Sequence, residues 1–181
     1  DLTMALTART GAITDGGDVG VDVTAASLAL RAATGIGSGN ALETAVSTLA
    51  ARNDGASGHI QIDNSVGGLL DIGNVDSLLG IVNAAGSAGD IIVANASPVT
   101  VSAAVTNSTG GNISITASGS TNDDDLSIQA NVTASGGSGT ITLDAGDDIA
   151  VSNSTTISAA GSGTIDLNAG AGTTEGTITM A

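Results

Sequence analysis

Short runs of alternating apolar and polar residues recur along the chain, and glycine, serine, asparagine or aspartate bounds each run. The pattern is most regular in a phrase that occurs twice: Gly-Thr-Ile-Thr-Leu-Asp-Ala-Gly at 139–146, and Gly-Thr-Ile-Asp-Leu-Asn-Ala-Gly 24 residues later at 163–170. Alternation predicts strands with one buried face, and the bounding residues predict turns. A period in the twenties, built only from strands and turns, is typical of a solenoid of stacked coils. The sequence therefore predicts an all-β fold, a parallel β-solenoid (β-helix).

Three strand positions fit every predicted coil, and we name them a, b and c in chain order. The b strands centre on isoleucines spaced 23, 24, 31, 22, 28 and 24 residues apart, namely Ile13, Ile36, Ile60, Ile91, Ile113, Ile141 and Ile165. The a strands precede them at Leu6, Leu28, Leu49, Val82, Val105, Val132 and Ile157. The c strands follow near Val21, Thr44 with Val46, Leu70 with Ile72, Val99 with Val101, Leu126 with Ile128, Ile149 with Val151, and Ile178 with Met180. Residues 1–181 are thus predicted to form one solenoid segment of about seven coils. The chain starts and ends within the repeat pattern, which we interpret as part of a longer repeat-rich chain.

Three segments depart from the regular spacing. The excess residues of one coil lie in the polar run 117–125, which predicts a loop between b and c. A second excess lies between Gly67 and Gly80, where the register is not determined by the pattern. Residues 40–49 fit two structures: Asn40 and Glu43 have the spacing of a helix capping box, whereas the alternation at 42–46 fits a strand. We favour the strand, because the coil needs one there.

The composition limits which residues can fill the core and which partners the chain can bind. The 181-residue chain has no Phe, Trp or Tyr, so the core must be filled by Ile, Val, Leu and Ala. A coil that is only a few side chains wide does not need aromatic bulk. The net charge of −15 disfavours nucleic acid and anionic membrane surfaces as partners. No apolar run approaches the length of a membrane span. The absence of cysteine excludes a disulfide scaffold.

Several of these phrases resemble a known family. Ala-Ile-Thr-Asp-Gly-Gly at 12–17, Ser-Leu-Ala-Leu at 27–30, Leu-x-Thr-x-Val-x-x-Leu-x-Ala at 42–51 and the Gly-x-Ile-x-Leu phrases are similar to the repeat region of filamentous haemagglutinin-like adhesins. Those are large bacterial proteins exported by two-partner or autotransporter-type secretion. The resemblance implies a right-handed parallel β-helix and a place in an adhesin at the bacterial surface. It implies no catalytic or binding residues.

Carboxylates form the largest group of candidate ligands. Ten of the 18 acidic residues fall at the b–c corner of the threaded coils: Asp15, Asp18, Asp63, Asp123, Asp124, Asp125, Asp144, Asp147, Asp148 and Glu175. Clustered hard oxygens suit Ca²⁺, and the segment 16–22 is similar to a calcium-binding glycine-rich repeat with one residue too many. The other interpretation is a solvated acidic edge that disfavours lateral pairing. We favour the latter and predict neither a metal nor a cofactor.

The remaining candidate residues, the arginines, the histidine and the threonines, fit structural roles better than catalytic or binding roles. Arg9, Arg31 and Arg52 are spaced 22 and 21 residues apart and are predicted to stack at the a–b corner, where they can contact an anionic glycan or pair with acids such as Asp54. His59 is the lone histidine and has no cysteine, second histidine or lysine to work with. An ice-binding threonine face is also disfavoured, because Gln61, Ile92, Ser114 and Asp166 interrupt the threonine column. We therefore predict that the chain is not an enzyme.

The function predicted from these features is mechanical. The chain is expected to be a shaft segment of a secreted or cell-surface bacterial adhesin that extends and displays other regions. Its partners would be flanking repeats of the solenoid or further copies, with a host or surface glycan or protein as the adhesion target. Two alternatives stay open at this point: a fibre subunit that stacks end to end, and a carbohydrate-binding β-helix. The lack of aromatic residues for sugar stacking disfavours the second alternative.

Overall fold

A computed structural model describes residues 2–55, 57–64, 68–84, 88–172 and 175–181. All regular secondary structure in these ranges is β, and parallel strands stack into a solenoid of about seven turns, as the alternation predicts. Among the described residues there is no helix of the length and apolarity that crossing a membrane requires. The predicted fold class is therefore confirmed.

The described residues form 21 strands. The first ten are β1 (Thr3–Ala8), β2 (Val23–Thr24), β3 (Ser27–Ala32), β4 (Leu42–Ala45), β5 (Thr48–Asn53), β6 (Ile60–Asn64), β7 (Leu70–Ile72), β8 (Asn74–Val75), β9 (Leu78–Leu79) and β10 (Ile81–Asn83). The others are β11 (Ile91–Asn95), β12 (Val99–Val101), β13 (Val105–Asn107), β14 (Ile113–Ala117), β15 (Leu126–Ile128), β16 (Val132–Ala134), β17 (Ile141–Ala145), β18 (Ile149–Val151), β19 (Ile157–Ala159), β20 (Ile165–Asn168) and β21 (Ile178–Met180).

The predicted b column is confirmed in every coil. Its sheet has the order β2-β4-β6-β11-β14-β17-β20, and the register pairs the seven isoleucines in sequence from Ile13 to Ile165. The five central members are fully buried, whereas Ile13 is half-buried and Ile165 is exposed. Because each strand alternates between buried and outward residues, a slip by one residue would turn the isoleucines outward, and the register is strongly determined.

The predicted c strands are correct from Leu70 onward but wrong in the first two coils. There the six-residue strands β3 and β5 occupy both the c and the a positions: the start of β5 pairs with β7 (Leu49 with Ile72) and its end with β10 (Ala51 with Ile81). Thr44, expected in a c strand, lies in β4 and pairs with Val23 of β2 in the b sheet. Val21 lies outside the strands and is exposed. The early coils insert their extra residues within the b region, at 14–22 and 37–41, which moves the following strand.

Three predicted members of the a column are also corrected, namely Leu28, Leu49 and Val82. The register runs from Ile81 through Ala51 and Leu30 to Leu6, so Leu6 is in the column as predicted. Leu28 and Leu49 lie instead in the column of Ile72. In the fourth a strand Ile81, not Val82, stacks between Ala51 and Val105. Both Ile81 and Val82 are apolar, so alternation did not distinguish them; the buried Asn83, two residues after Ile81, sets the inward face.

The segment with undetermined register contains an outward hairpin. Strands β8 and β9 pair antiparallel, with Asp76 in a left-handed turn conformation (φ 53°). Val75 and Leu78 pack on Ala29 and Ala50, which face outward from β3 and β5, and form a second small core outside the coils. Gly67, the first residue of this segment, lies outside the described residues.

The other two irregular segments agree with their predictions. Residues 42–45 and 48–53 are strands, so the capping-box spacing at Asn40 does not mark a helix. Residues 118–125 of the polar run join β14 to β15 as a loop. Asp124 in this loop is buried, and the backbone N–H and the hydroxyl of Thr121 donate to its carboxylate at 2.6 and 2.7 Å.

A glycine two residues before each regular b strand explains the Gly-x-Ile phrase. A Cβ added to Gly139 would lie 2.0 Å from the carbonyl oxygen of Gly111, and one added to Gly111 would lie 2.3 Å from that of Gly89. No real Cβ contact is that short, so this corner brings successive backbones too close for any side chain. The same position in the first coil is Gly11, whose Cβ would meet nothing within 4 Å.

We expect Gly139→Ala to lower the free energy of unfolding by about 1–3 kcal/mol, because one coil must move away from the next. Urea denaturation followed by circular dichroism measures the change. Gly11→Ala is the matched control and should change stability by no more than about 0.5 kcal/mol. Equal losses for the two variants would show that the close approach is not what requires glycine.

Candidate functional site

Two of the three arginines stack as predicted. Arg31 and Arg52 are register partners on β3 and β5, and both guanidinium groups contact the carboxylate of Asp54, Arg31 at 2.7 Å. The third is different: Thr7, not Arg9, is the partner of Arg31 in β1, so Arg9 lies beyond the strand and outside the ladder. The side chains of Arg31 and Asp54 are 55% and 27% exposed, so the pair contributes little to stability.

A groove of about 550 Å³ lies beside these arginines, between the outer faces of β1 and β3 and the hairpin β8–β9. Arg9 and Arg31 line it together with Asp54 and Asp76. Because two carboxylates face two guanidinium groups, the groove has no excess positive charge to attract an anionic glycan. The arrangement indicates a structural ion pair.

Six of the 18 acidic residues form two clusters, one between the first two coils and one nearer the C-terminal end of the described solenoid. Asp125, Asp147 and Asp148 form the C-terminal cluster, whereas Asp15 lies with Asp22 and Glu43 in the N-terminal cluster. Within each cluster the carboxylate oxygens lie within 4.8 Å of one another. The sequence predicted the C-terminal cluster but placed neither Asp22 nor Glu43 beside Asp15. Asp144 lies outside both, and the side-chain amide of Asn168 donates to its carboxylate at 2.6 Å.

Backbone N–H groups satisfy the C-terminal cluster. The N–H of Asp148 donates to Asp125 at 3.2 Å, and the N–H of Thr177 donates to Asp148 at 2.6 Å. Asp147 is buried and has a partner as well. Backbone N–H groups of successive coils therefore donate to two acids of this cluster, which gives these acids a structural role at the corner.

The N-terminal cluster contains two carboxyl groups whose pKa is shifted. The N–H of Gly17 donates to Asp15 at 2.6 Å and lowers the pKa of that carboxyl. Burial raises the pKa of Glu43, and the negative charge of Asp15 raises it further. Two neighbouring carboxyls thus have pKa values shifted in opposite directions, because one accepts backbone hydrogen bonds and the other is desolvated.

His59 contributes to a corner of the coil. Its Nδ1 accepts a hydrogen bond from the backbone N–H of Asp90 at 3.0 Å and lies 3.4 Å from the Asp90 carboxylate. The backbone N–H of His59 donates to the hydroxyl of Ser38 at 2.9 Å. These contacts join three successive coils. They provide a structural explanation for the only histidine.

The threonine column is interrupted as predicted. In register on the outward face of the b sheet lie Gln61, Ile92, Ser114, Thr142 and Asp166. A flat, repeated threonine array does not form at these positions.

Two ladders of buried asparagines were not anticipated from the sequence. Asn53, Asn83 and Asn107 are register partners at the a–b corner, and the amide of Asn53 donates to the side-chain oxygen of Asn83 at 3.1 Å. At the b–c corner Asn64 donates in the same way to Asn95 at 3.0 Å. All five are 0–3% exposed. The signal was present: each asparagine ends a strand, at a position where alternation predicts an inward side chain.

Comparison with protein-family models, with curated proteins and with solved structures gave no match. The resemblance to filamentous haemagglutinin-like adhesins therefore stays a prediction.

Proposed function

We propose that the chain is a structural shaft segment of a secreted or cell-surface bacterial adhesin, which extends and displays other regions. The observation that carries the proposal is the unbroken parallel ladder of the b sheet, from Ile13 to Ile165, with an aliphatic core throughout. Each strand of this sheet pairs only with the strands before and after it in the stack, so length is added by repeating the same unit. Three candidate residues, Arg31, Arg52 and His59, are engaged in structural contacts, and this supports a mechanical function.

The location at the cell surface has a direct test. Antibodies raised against the purified chain should label intact cells of the organism that produces it, as seen by immunofluorescence without permeabilisation. Labelling that requires lysis of the cells would contradict a surface shaft. A second arm tests the absence of catalysis: purified protein should not depolymerise polysaccharides over prolonged incubation. Sustained cleavage that mutation of an aspartate pair abolishes would overturn that part of the proposal.

The exposed last coil favours a second candidate, a fibre subunit that stacks end to end. Ile165 and Ile178 are each 43% exposed and Met180 is 67% exposed, whereas their partners one coil earlier are 0–5% exposed. Another coil stacked on this edge would bury these side chains and pair the open strands. The coil can come from the same chain or from a second copy.

Sedimentation velocity over a concentration series, with electron microscopy of the same samples, distinguishes the two candidates. A shaft segment should sediment as a monomer, since the −15 charge opposes association. Filaments that lengthen with concentration and have the width of one solenoid would favour the fibre subunit instead.

A further inference from the structure

The N-terminal acidic cluster contains a buried oxygen that nothing satisfies. Glu43 is 8% exposed, and its Oε2 is fully buried with no hydrogen-bond partner among the described residues. The Oδ1 of Asp15 is likewise buried and has no hydrogen-bond partner among the described residues. An unsatisfied carboxylate oxygen in a buried position costs free energy, so each such group in a native structure needs an explanation. The C-terminal cluster differs, because none of its carboxylate oxygens is among the buried atoms without a hydrogen-bond partner in the described residues.

Neighbouring hydrogen bonds hold these carboxylates toward one another. The N–H of Gly17 donates to Oδ2 of Asp15, which leaves Oδ1 for another ligand. The N–H of Glu43 donates to Asp22 at 3.2 Å and joins the second coil to the first. The three side chains therefore present oxygens to one point from two successive coils. Carboxylates this close repel one another, and a cation between them would relieve that repulsion.

We propose that Asp15, Asp22 and Glu43 bind one calcium ion between the first two coils. Oxygen separations of up to 4.8 Å are those found around a cation whose ligands lie at about 2.3–2.6 Å. The site offers only hard oxygen ligands and no nitrogen or sulfur, which excludes the softer transition metals as preferred ions. The irregular insert at 14–22 can supply carbonyl oxygens and leave room for water, and Ca²⁺ tolerates such variable coordination better than Mg²⁺ does.

The ion would have a structural consequence in the first coil. The insert at 14–22 lies between Ile13, which pairs with Ile36, and Val23, which pairs with Thr44. Asp15 and Asp22 are near the two ends of that insert, and Glu43 lies in the next coil. A shared cation would therefore close the insert and hold it to the second coil. The proposal does not depend on the shaft function.

Isothermal titration of the calcium-free chain with CaCl₂, at ionic strength fixed with NaCl, tests the proposal. We expect one ion per chain and a rise in melting temperature that NaCl alone does not reproduce.

Glu43→Gln keeps the shape of the side chain but removes its charge, and should weaken binding by about tenfold or more. Asp22→Asn should weaken it as well. Because Asp22 is exposed, this second variant tests the site without altering the core.

Asp148→Asn in the C-terminal cluster is the matched control and should leave calcium binding unchanged. Four outcomes would overturn the proposal. They are no saturable binding to the parent chain, a melting temperature that follows ionic strength alone, binding that is lost in Asp148→Asn but not in Glu43→Gln, and equal binding of MgCl₂ and CaCl₂. The last of these would overturn the assignment to calcium even where the site itself binds a cation.

Discussion

Ile141→Asp should unfold the coils around residue 141 and lower the free energy of unfolding by more than about 4 kcal/mol, which is exceptional for one substitution. Ile141 is fully buried, and it stacks between Ile113 and Ile165 in the b column. The change removes aliphatic packing, which typically costs about 2–5 kcal/mol for a large-to-small substitution. It also places a carboxyl group in a core whose neighbours have no donor for it. The net stability of a domain is typically about 5–15 kcal/mol, so the loss is a large share of it.

The solenoid architecture determines where this loss should appear. Because each strand pairs only with strands of adjacent coils, the damage should be greatest in β15 to β20 and weakest in β1 to β6. Hydrogen exchange measured by mass spectrometry resolves the two regions. Ile92→Asp is the control: Ile92 is on the same sheet but faces outward, is 36% exposed and lies between Gln61 and Ser114. Uniform loss of protection along the chain, or equal loss in the control, would contradict the assignment of Ile141 to the core.

Alternation and period were sufficient to predict the solenoid, because register in a half-buried strand has only two choices and one of them exposes the core. The b column was predictable for this reason: each of its isoleucines except Ile91, which Ile92 follows, has polar or small neighbours on both sides. Alternation failed at Ile81 and Val82, where both residues are apolar. It also failed at Thr44, because alternation shows that a strand follows but does not show which sheet that strand joins.

The candidate sites were less predictable than the fold. Whether two carboxylates lie close together depends on the backbone conformation of the loops that carry them. The insert at 14–22 has no periodic pattern from which that conformation could be predicted. Glu43 could not be assigned to the acidic cluster, because the predicted c strand placed it elsewhere. The asparagine ladders were missed for a different reason: asparagine was taken as a turn residue, whereas at Asn83 and Asn95 the side chain faces inward and replaces an apolar residue.

Asn95→Ala should lower the free energy of unfolding by about 2–3 kcal/mol, because several buried hydrogen bonds share this one side chain. The amide of Asn95 donates to the carbonyl oxygens of Gly68, Ser97 and Pro98 at 2.9–3.0 Å, and its oxygen accepts from Asn64. The carbonyl of Pro98 retains the N–H of Leu70 as a donor, but the corner loses its other internal donors. The expected loss is therefore that of partly orphaned carbonyls at a turn, smaller than the loss from a charge in the core.

Asn122 offers the comparison that separates this explanation from a general effect of removing asparagine. It lies exposed in the loop before β15, so Asn122→Ala should change stability by no more than about 0.5 kcal/mol. Urea denaturation of both variants beside the parent chain measures the difference.

Asn95→Asp refines the test, since the carboxylate keeps the acceptor for Asn64 but loses the donors and faces carbonyl oxygens. It should be at least as destabilising as alanine at neutral pH. If Asn95→Asp were as stable as the parent chain there, the donated hydrogen bonds would not be what holds this corner, and packing of the side chain would have to explain the ladder.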